Sequence, residues 1–350
     1  MEIARRDLMQ FGAGALLAAL VGPGAAAAGP GPNLDFVDPE LRDAARMLLR
    51  TEGGRTWTDV TLAGIRAHAP PPVAWRPDVP VEERRIPRGG TQSPLTLYVI
   101  NARADARRPG ILHTHGGGFI LGSARGEVPY LQQIAWDLDC VIVSVEYRLA
   151  PETAFAGSTD DNYRGLRWAH GNADLLGIDR SKLVVMGESA GGGHAALLAL
   201  LARARGEIPL AAQVLVYPML DDRTGSTRMP PPFMGAVGWS ADGNRFGWRS
   251  FLGQRPGTRA VPAAAVPARH TDLAGLPPTF IGVGGIDLFV GEDVDYARRL
   301  IEAGVPTDLL VVPGAFHGFD RVATGTAVAR RFNKAKYNFL RRAFGQAVEV

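Results

Sequence analysis

The chain has 350 residues, of which 46% are hydrophobic, so it can form one large α/β domain with insertions or two small domains. It carries 38 lysines and arginines against 35 aspartates and glutamates, a formal net charge of +3 at pH 7. This excess is small for the length, and the basic pairs are dispersed, so we expect no nucleic-acid partner. The single cysteine, Cys140, lies in an apolar run and is expected in the core.

Residues 1–28 have the order of a twin-arginine export signal. Arg5 and Arg6 come first, an uncharged run rich in glycine and alanine follows, and an Ala-x-Ala cleavage sequence ends near Ala28. The sequence Gly22–Gly24 with its central proline interrupts the run well short of the ~20 residues that a bilayer needs. We therefore expect a periplasmic or secreted protein without stable membrane insertion. The alternative is an ordinary N-terminal helix of a cytoplasmic protein.

Short β-branched runs alternate with helical patterns from about Val81 onward, which predicts a mostly parallel sheet covered on both faces. The predicted strands are residues 95–100, 111–115, 141–147, 183–187, 213–218, 279–285 and 309–314. Residues 35–80 and 221–275 depart from this alternation, and connections that long are usually lids or binding segments. The aromatic residues there that are candidates for lining an apolar pocket, with internal packing as the alternative, are Trp57, Trp75, Phe233, Trp239, Phe246 and Trp248.

The sequence Gly187-Glu188-Ser189-Ala190-Gly191 is a G-x-S-x-G motif between a predicted strand and a predicted helix. In that context the serine lies on a strained turn, and small residues at Gly187 and Gly191 let strand and helix pack closely. The serine also stands at a helix N-terminus, where free N–H groups favour developing negative charge. Ser189 is therefore the predicted nucleophile.

A serine nucleophile needs a base and an acid that orients the base, and with this motif they follow in the order Ser, Asp or Glu, His. Among seven histidines, His317 stands alone after the last predicted strand, where a loop can bring it to the sheet edge. His317 is the predicted base, with a surface-loop histidine as the alternative. Asp287, directly after the strand at 279–285, is the predicted acid; the alternatives are a helix N-cap or a role passed to Asp293.

Three consecutive glycines, Gly116–Gly118, follow the strand predicted at 111–115. Attack on an ester carbonyl creates an oxyanion, and each well-placed N–H donor stabilises the transition state by ~3 kcal/mol. Without side chains in the way, the N–H groups of Gly117 and Gly118 can approach such an atom together with that of Ala190. His115 is expected to position this loop rather than to transfer protons.

Together these sequences resemble the bacterial hormone-sensitive lipase family of esterases (family IV). The matching blocks are HGGGF at 115–119, YRLAPE at 147–152, GESAGG at 187–192, Asp287 in DLFVGED and His317 in FHGF. The resemblance covers about residues 35–345. It implies an α/β-hydrolase fold, a mostly parallel eight-stranded sheet flanked by helices, with a helical cap. The implied division is an N-terminal cap segment at 29–80, a core at 81–220 and 276–350, and a cap insertion at 221–275.

The resemblance implies a serine carboxylesterase that hydrolyses short- to medium-chain acyl esters through a Ser-His-Asp triad and an acyl-enzyme intermediate. The residues that match its roles are Ser189, Asp287 and His317 in the triad, Gly117, Gly118 and Ala190 in the oxyanion hole, and His115, Gly116, Gly187, Glu188 and Gly191 in support. We expect a small-molecule ester as partner and no metal or organic cofactor, and we leave a homodimer open. The alternatives are an amidase or acyltransferase with the same triad, or a non-catalytic binding protein on the same fold.

Two positions depart from the family pattern. Glu188 replaces the more usual aspartate before the nucleophile, and Gly291 stands where the family often has an acid. We expect both to affect the support of the triad and hence the pH optimum. The basic segment 328–344 is predicted as an outer helix with an apolar face on the sheet; membrane-surface attachment is the alternative.

Overall fold

The computed structural model of the protein describes residues 34–68 and 73–349. The predicted export signal, residues 1–28, lies outside the described residues. Within the described ranges, no helix combines the length and apolarity that crossing a membrane requires.

The strands of the described residues form one eight-stranded sheet in the order β1-β2-β4-β3-β5-β6-β7-β8. They are β1 (Val81–Ile86), β2 (Leu95–Ile100), β3 (Arg108–Thr114), β4 (Val141–Val145), β5 (Ile178–Glu188), β6 (Ala212–Val216), β7 (Thr279–Gly284) and β8 (Thr307–Val312). β2 pairs antiparallel with β1 and β4, and the strands from β4 across to β8 are parallel. The predicted mostly parallel eight-stranded sheet is confirmed.

All seven strands predicted from β-branched runs are present, with ends that differ by a few residues. The exception is β5, which begins at Ile178 instead of 183 because Ile178 pairs with Arg108 beyond a register shift. The eighth strand, β1, was not among the runs proposed individually. Its central residues Glu82–Arg85 are charged and exposed, because β1 lies at the edge of the sheet.

Helices cover both faces of the sheet. They are α1 (Arg42–Glu52), α2 (Asp59–Ala67), α3 (Ala124–Asp137), α4 (Phe155–Gly171), α5 (Ala173–Leu176), α6 (Ala190–Arg205), α7 (Ala241–Leu252), α8 (Val290–Glu302), α9 (Phe319–Val322) and α10 (Ala327–Phe344). Successive strand residues point to opposite faces. Leu97 and Val99 therefore belong to the hydrophobic cluster that includes α4 and α6, whereas Tyr98 and Ile100 belong to the cluster that includes α3 and α10.

The two regions that depart from the strand–helix alternation contribute α1, α2 and α7. Residues from both regions line one cavity above the carboxyl ends of the parallel strands. This is the edge where open α/β sheets bind ligands. The basic C-terminal segment forms α10, whose residues Phe332, Phe339 and Leu340 are buried, as expected for an outer helix on the sheet.

The lone thiol, Cys140, is fully buried at the start of β4. Burial raises its pKa far above the ordinary value. Its predicted place in the core agrees with the structure.

Candidate active site

Ser189 lies on the sharp turn between β5 and α6, with φ 57° and ψ −122°. The turn is fixed by the backbone, because Ser189 N donates to Val216 O at 2.9 Å and Ser189 O accepts from Met219 N at 2.9 Å. A Cβ at Gly191 would collide with the carbonyl oxygen of Thr114. Glycine at position 191 therefore lets the first turn of α6 lie this close to the end of β3.

His317 joins Ser189 to Asp287. Its Nε2 lies 2.9 Å from Ser189 Oγ, and its Nδ1 lies 2.8 Å from Asp287 Oδ2. Since a carboxylate only accepts hydrogen bonds, Nδ1 carries the proton and the lone pair of Nε2 faces the serine hydroxyl. Asp287 is fully buried after β7, and its other oxygen accepts from Phe289 N at 2.9 Å. Hydrogen bonds through His317 thus connect the three residues selected from the sequence.

Asp293, the alternative acid, is fully buried in α8, and its carboxylate makes no hydrogen bond within the described residues. Burial, followed by the nearby charges of Glu292 and Asp287, raises its pKa well above the ordinary value. Its carboxylate is therefore not hydrogen-bonded to His317. The structure therefore brings Asp287 and not Asp293 to the imidazole.

The glycine loop after β3 turns beside Ser189. Gly117 and Gly118 have φ values of 120° and 60°, which favour glycine, and Gly117 O accepts from Leu121 N at 2.8 Å. No acceptor among the described residues contacts the N–H of Gly117 or Gly118. Ala190 opens α6, so its N–H has no acceptor within the helix. These three N–H groups thus have no backbone acceptor among the described residues, and Gly117 and Gly118 line the same cavity as Ser189.

His115 holds the glycine loop. Its Nδ1 lies 2.8 Å from Gly116 O, and its ring stacks on Tyr147 with centroids 4.1 Å apart. Tyr147 OH donates to His115 O at 2.7 Å. Burial lowers the pKa of His115, so the ring is a neutral structural group. These contacts connect the imidazole to the loop, and the positioning role of His115 stays a prediction.

Glu188 is buried beneath the nucleophile and contacts His113, a residue that the sequence reasoning did not select. Glu188 Oε2 lies 2.8 Å from His113 Nε2, and His113 Nδ1 lies 2.9 Å from Ser144 Oγ. Burial alone would raise the pKa of Glu188, but the charge and hydrogen bond of His113, with Arg321 and Lys336, outweigh it and lower the pKa. The signal in the sequence was a histidine inside an otherwise apolar strand.

A cavity of about 440 Å³ lies above Ser189 and His317. Its apolar lining includes Leu48, Leu49, Trp57, Leu121, Trp239 and Val322, and its polar lining includes Arg55, Glu127, Glu188, Tyr217, Ser240 and Arg321. Of the six aromatic candidates, Trp57 and Trp239 line the cavity. The other four pack elsewhere, Trp75 on Tyr98, Phe233 on Phe36, Phe246 on Trp57 and Trp248 on Phe119.

Two contacts tie the flanking regions to the glycine loop. The indole of Trp239 lies against Gly118. From the N-terminal region, Arg66 of α2 donates from Nε to Ile120 O at 2.9 Å and from Nη2 to Ala150 O at 2.7 Å.

The described residues hold no group of three or more histidine, cysteine, aspartate or glutamate side chains placed for a metal ion.

Known proteins share this architecture. Residues 111–321 match a family model described as the alpha/beta hydrolase fold. A carboxylesterase of Mycobacterium tuberculosis, NlhH, is 33% identical over 298 residues, which cover 82% of this chain and 89% of that protein. An ethyl acetate hydrolase of Pseudomonas putida is 32% identical over 220 residues, which cover 61% of this chain and 67% of that protein. A solved structure named bacterial heroin esterase is 33% identical with a TM-score of 0.76, covering 89% of this chain and 99% of that one.

The sheet and the serine turn at the end of β5 define an α/β hydrolase, and the chain belongs to the α/β-hydrolase fold family. Within that family it is a carboxylic ester hydrolase, like the named relatives. The resemblance inferred from the sequence is thereby confirmed.

Proposed function

We propose that the protein hydrolyses short- to medium-chain acyl esters with Ser189 as nucleophile, His317 as base and Asp287 as the acid that orients the base. The observation that carries this proposal is the relay of 2.9 Å and 2.8 Å hydrogen bonds through the two nitrogens of His317. A serine hydroxyl is a weak nucleophile at neutral pH, and a base in contact with it is what the reaction requires.

In the first step, Ser189 Oγ attacks the carbonyl carbon while its proton moves to His317 Nε2. The carbonyl electron pair moves onto the oxygen, which the N–H groups of Gly117, Gly118 and Ala190 stabilise. When the pair returns, the bond to the alcohol breaks, and the alcohol leaves with the proton from His317. The product of this step is an acyl-enzyme ester on Ser189.

In the second step, water attacks the acyl carbon and gives its proton to His317 Nε2. Collapse of the new oxyanion breaks the bond to Ser189 Oγ, which takes that proton back. The acid is released, and the enzyme returns to its starting state. Asp287 stabilises the imidazolium in both steps without itself taking the proton.

The preference for short to medium acyl chains is supported by the cavity and by one relative. A volume of about 440 Å³ lies toward the lower end of the range for small-molecule pockets. The relative from Pseudomonas putida is named for ethyl acetate, a short-chain ester. We propose that the N-terminal segment at 29–80 and the insertion at 221–275 form the cap over this cavity, since Leu48, Trp57 and Trp239 line it.

Hydrolysis of p-nitrophenyl acetate, butyrate, octanoate and palmitate by the purified chain tests the proposal. We expect the rate to be highest for the shorter esters and to fall by about 10⁴-fold or more in Ser189→Ala. Ser158→Ala is the matched control, because Ser158 is also buried but lies in α4 and bonds only to Phe155 O within the described residues. Equal rates for wild type and Ser189→Ala would sink the proposal.

We also propose export, on the support of the order of residues 1–28. The test is fractionation of cells that express the full chain and its Arg5→Lys, Arg6→Lys double variant, which preserves charge. Esterase activity in the periplasm or medium that is lost in the double variant supports export. Equal distribution of the two proteins would contradict it.

A further inference from the structure

Lys336 is a fully buried lysine on the face of α10 that packs on the sheet. It lies one turn after Phe332, where the spacing of the buried face favours an apolar side chain. Its Nζ donates to Tyr130 Oη at 2.8 Å and to Asn333 Oδ1 at 2.7 Å, and lies 3.8 Å from Asp320 Oδ2. A buried ammonium is costly unless such partners surround it, so its contacts indicate what it does.

One branch of these contacts leads to the residue before the nucleophile. Tyr130 accepts from Lys336 and donates its own hydroxyl hydrogen to Glu188 Oε1 at 3.3 Å. Burial and the charge of Glu188 raise the pKa of Tyr130 well above its usual value, so the phenol remains a donor. Glu188 is bonded directly to Ser189. Two hydrogen bonds that polarise each other therefore link the ammonium of Lys336, through the Tyr130 hydroxyl, to the carboxylate of the residue before Ser189.

The other branch leads to the base. Asp320, which carries the ion pair with Lys336, accepts from Tyr217 OH at 2.9 Å. The ring of Tyr217 meets the ring of His317 edge to face, with centroids 4.7 Å apart. The backbone of Tyr217 is held as well, since its N donates to Gly282 O at 2.6 Å. The imidazole thus packs on a ring whose hydroxyl is anchored to the ion pair.

We propose that Lys336 is a positioning residue of the active site, which holds Ser189 through Tyr130 and Glu188 and holds His317 through Asp320 and Tyr217. This inference rests on the proposed triad. Without the ammonium, the buried carboxylates of Glu188 and Asp320 lose a shared counter-charge, and their side chains must rearrange. The rearrangement is passed to Ser189 through Glu188 and to His317 through Tyr217.

The test compares Lys336→Met with Arg331→Met. Methionine approximates the length of the lysine stem and removes its charge; Arg331 is an exposed cation of the same helix. With p-nitrophenyl butyrate, we expect Lys336→Met to lower kcat about tenfold to a hundredfold with little change in KM. Arg331→Met should match the wild type in both constants.

A structural role alone would lower the melting temperature of Lys336→Met and leave kcat of the folded fraction unchanged, and this result would overturn the proposal. The folded, competent fraction is counted by titration with a fluorophosphonate. Ser189→Ala, assayed beside these variants, reports on the triad separately. If Ser189→Ala retains wild-type activity, the proposed function fails whatever Lys336→Met does.

If Lys336→Met does not fold, Tyr130→Phe decides. It removes the hydroxyl between Lys336 and Glu188 and keeps the ammonium and its pair with Asp320. We expect a severalfold loss of kcat with KM preserved. A Tyr130→Phe enzyme with wild-type kcat and KM would overturn the proposal.

Discussion

The indole ring of Trp239 lies directly against Gly118, where its Cζ2 and Cη2 atoms occupy the space that a Cβ of residue 118 would need. The insertion therefore contacts the loop that presents two of the proposed oxyanion donors. Two separate features therefore favour glycine at position 118. The Trp239 ring leaves no room for a side chain, and the φ of 60° is unfavourable for other residues.

Gly118→Ala should lower kcat/KM by about a hundredfold, because the methyl group displaces the loop or the indole and misplaces an oxyanion donor. Trp239→Ala in the same chain removes the collision but not the unfavourable φ, so the double variant should recover part of the loss. Gly291→Ala is the control, since a Cβ there meets nothing within 4 Å. Losses that simply add in the double variant would show that the ring and the glycine act independently.

Asp287→Asn should lower kcat by about 10³- to 10⁴-fold, because an amide no longer fixes the proton on His317 Nδ1. Asp293→Asn is the matched variant, because Asp293 is also fully buried and the change again replaces one carboxylate oxygen by an amide nitrogen. We expect it to keep kcat within about threefold, because within the described residues the carboxylate of Asp293 is not hydrogen-bonded to His317. A large loss in Asp293→Asn with little loss in Asp287→Asn would reverse the assignment of the acid.

Asp293 should also make stability depend on pH. Its pKa is raised in the folded protein above the ordinary value of 3.8, by burial and then by Glu292 and Asp287. The stability it contributes is therefore fully present below about pH 3.8 and is lost as the pH rises through the raised value. The Asp293→Asn variant has no such loss. Between pH 3.8 and the raised pKa, its free energy of unfolding should rise relative to that of the wild type by up to about 1.4 kcal/mol for each pH unit.

Urea unfolding at pH 4.5, 6 and 7.5 measures this difference. Asp295→Asn serves as control, since Asp295 is only partly buried and pairs with Arg298 at the surface of the same helix. Such pairs contribute under about 1 kcal/mol. A wild-type-to-Asp293→Asn difference that stays constant across the three pH values would refute the raised pKa.

Arg66→Met should lower kcat/KM about tenfold, because Arg66 bonds to the carbonyls of Ile120 and Ala150 and so links α2 to the glycine loop. Limited proteolysis should cut residues 34–68 faster in the variant. Arg46→Met is the control, since the Arg46–Asp43 pair on α1 is exposed. Unchanged activity together with unchanged proteolysis would mean that the loop does not depend on α2.

Sequence patterns predict a strand correctly where its residues are apolar and the strand is also buried in the sheet. The apolar run at 95–100 is β2 to the residue, because it is buried between two other strands. The edge strand β1 escapes this reasoning since its charged residues Glu82–Arg85 face solvent. Its identity as a strand depends on pairing with β2, which no local pattern reports.

In the candidate site, too, local sequence patterns predict some residues, whereas others depend on tertiary packing. Ser189, Asp287 and His317 each follow a predicted strand, and the common edge of parallel strands brings them together. Lys336 lies in the polar sequence NKAKYN, which is typical of a solvated face, yet it is fully buried. Its partners Tyr130 and Asp320 come from distant elements, so only tertiary packing makes the burial of its charge tolerable.

The buried thiol of Cys140 has a practical consequence for experiments on the proposed cap. A thiol alkylates through its thiolate, and burial at the start of β4 suppresses both the thiolate and its access to reagents. Because the sequence contains one cysteine, a second cysteine placed at an exposed position such as Val60 on α2 becomes the one reactive thiol. A fluorophore attached there can report changes in the surroundings of α2 during turnover without removal of the native cysteine.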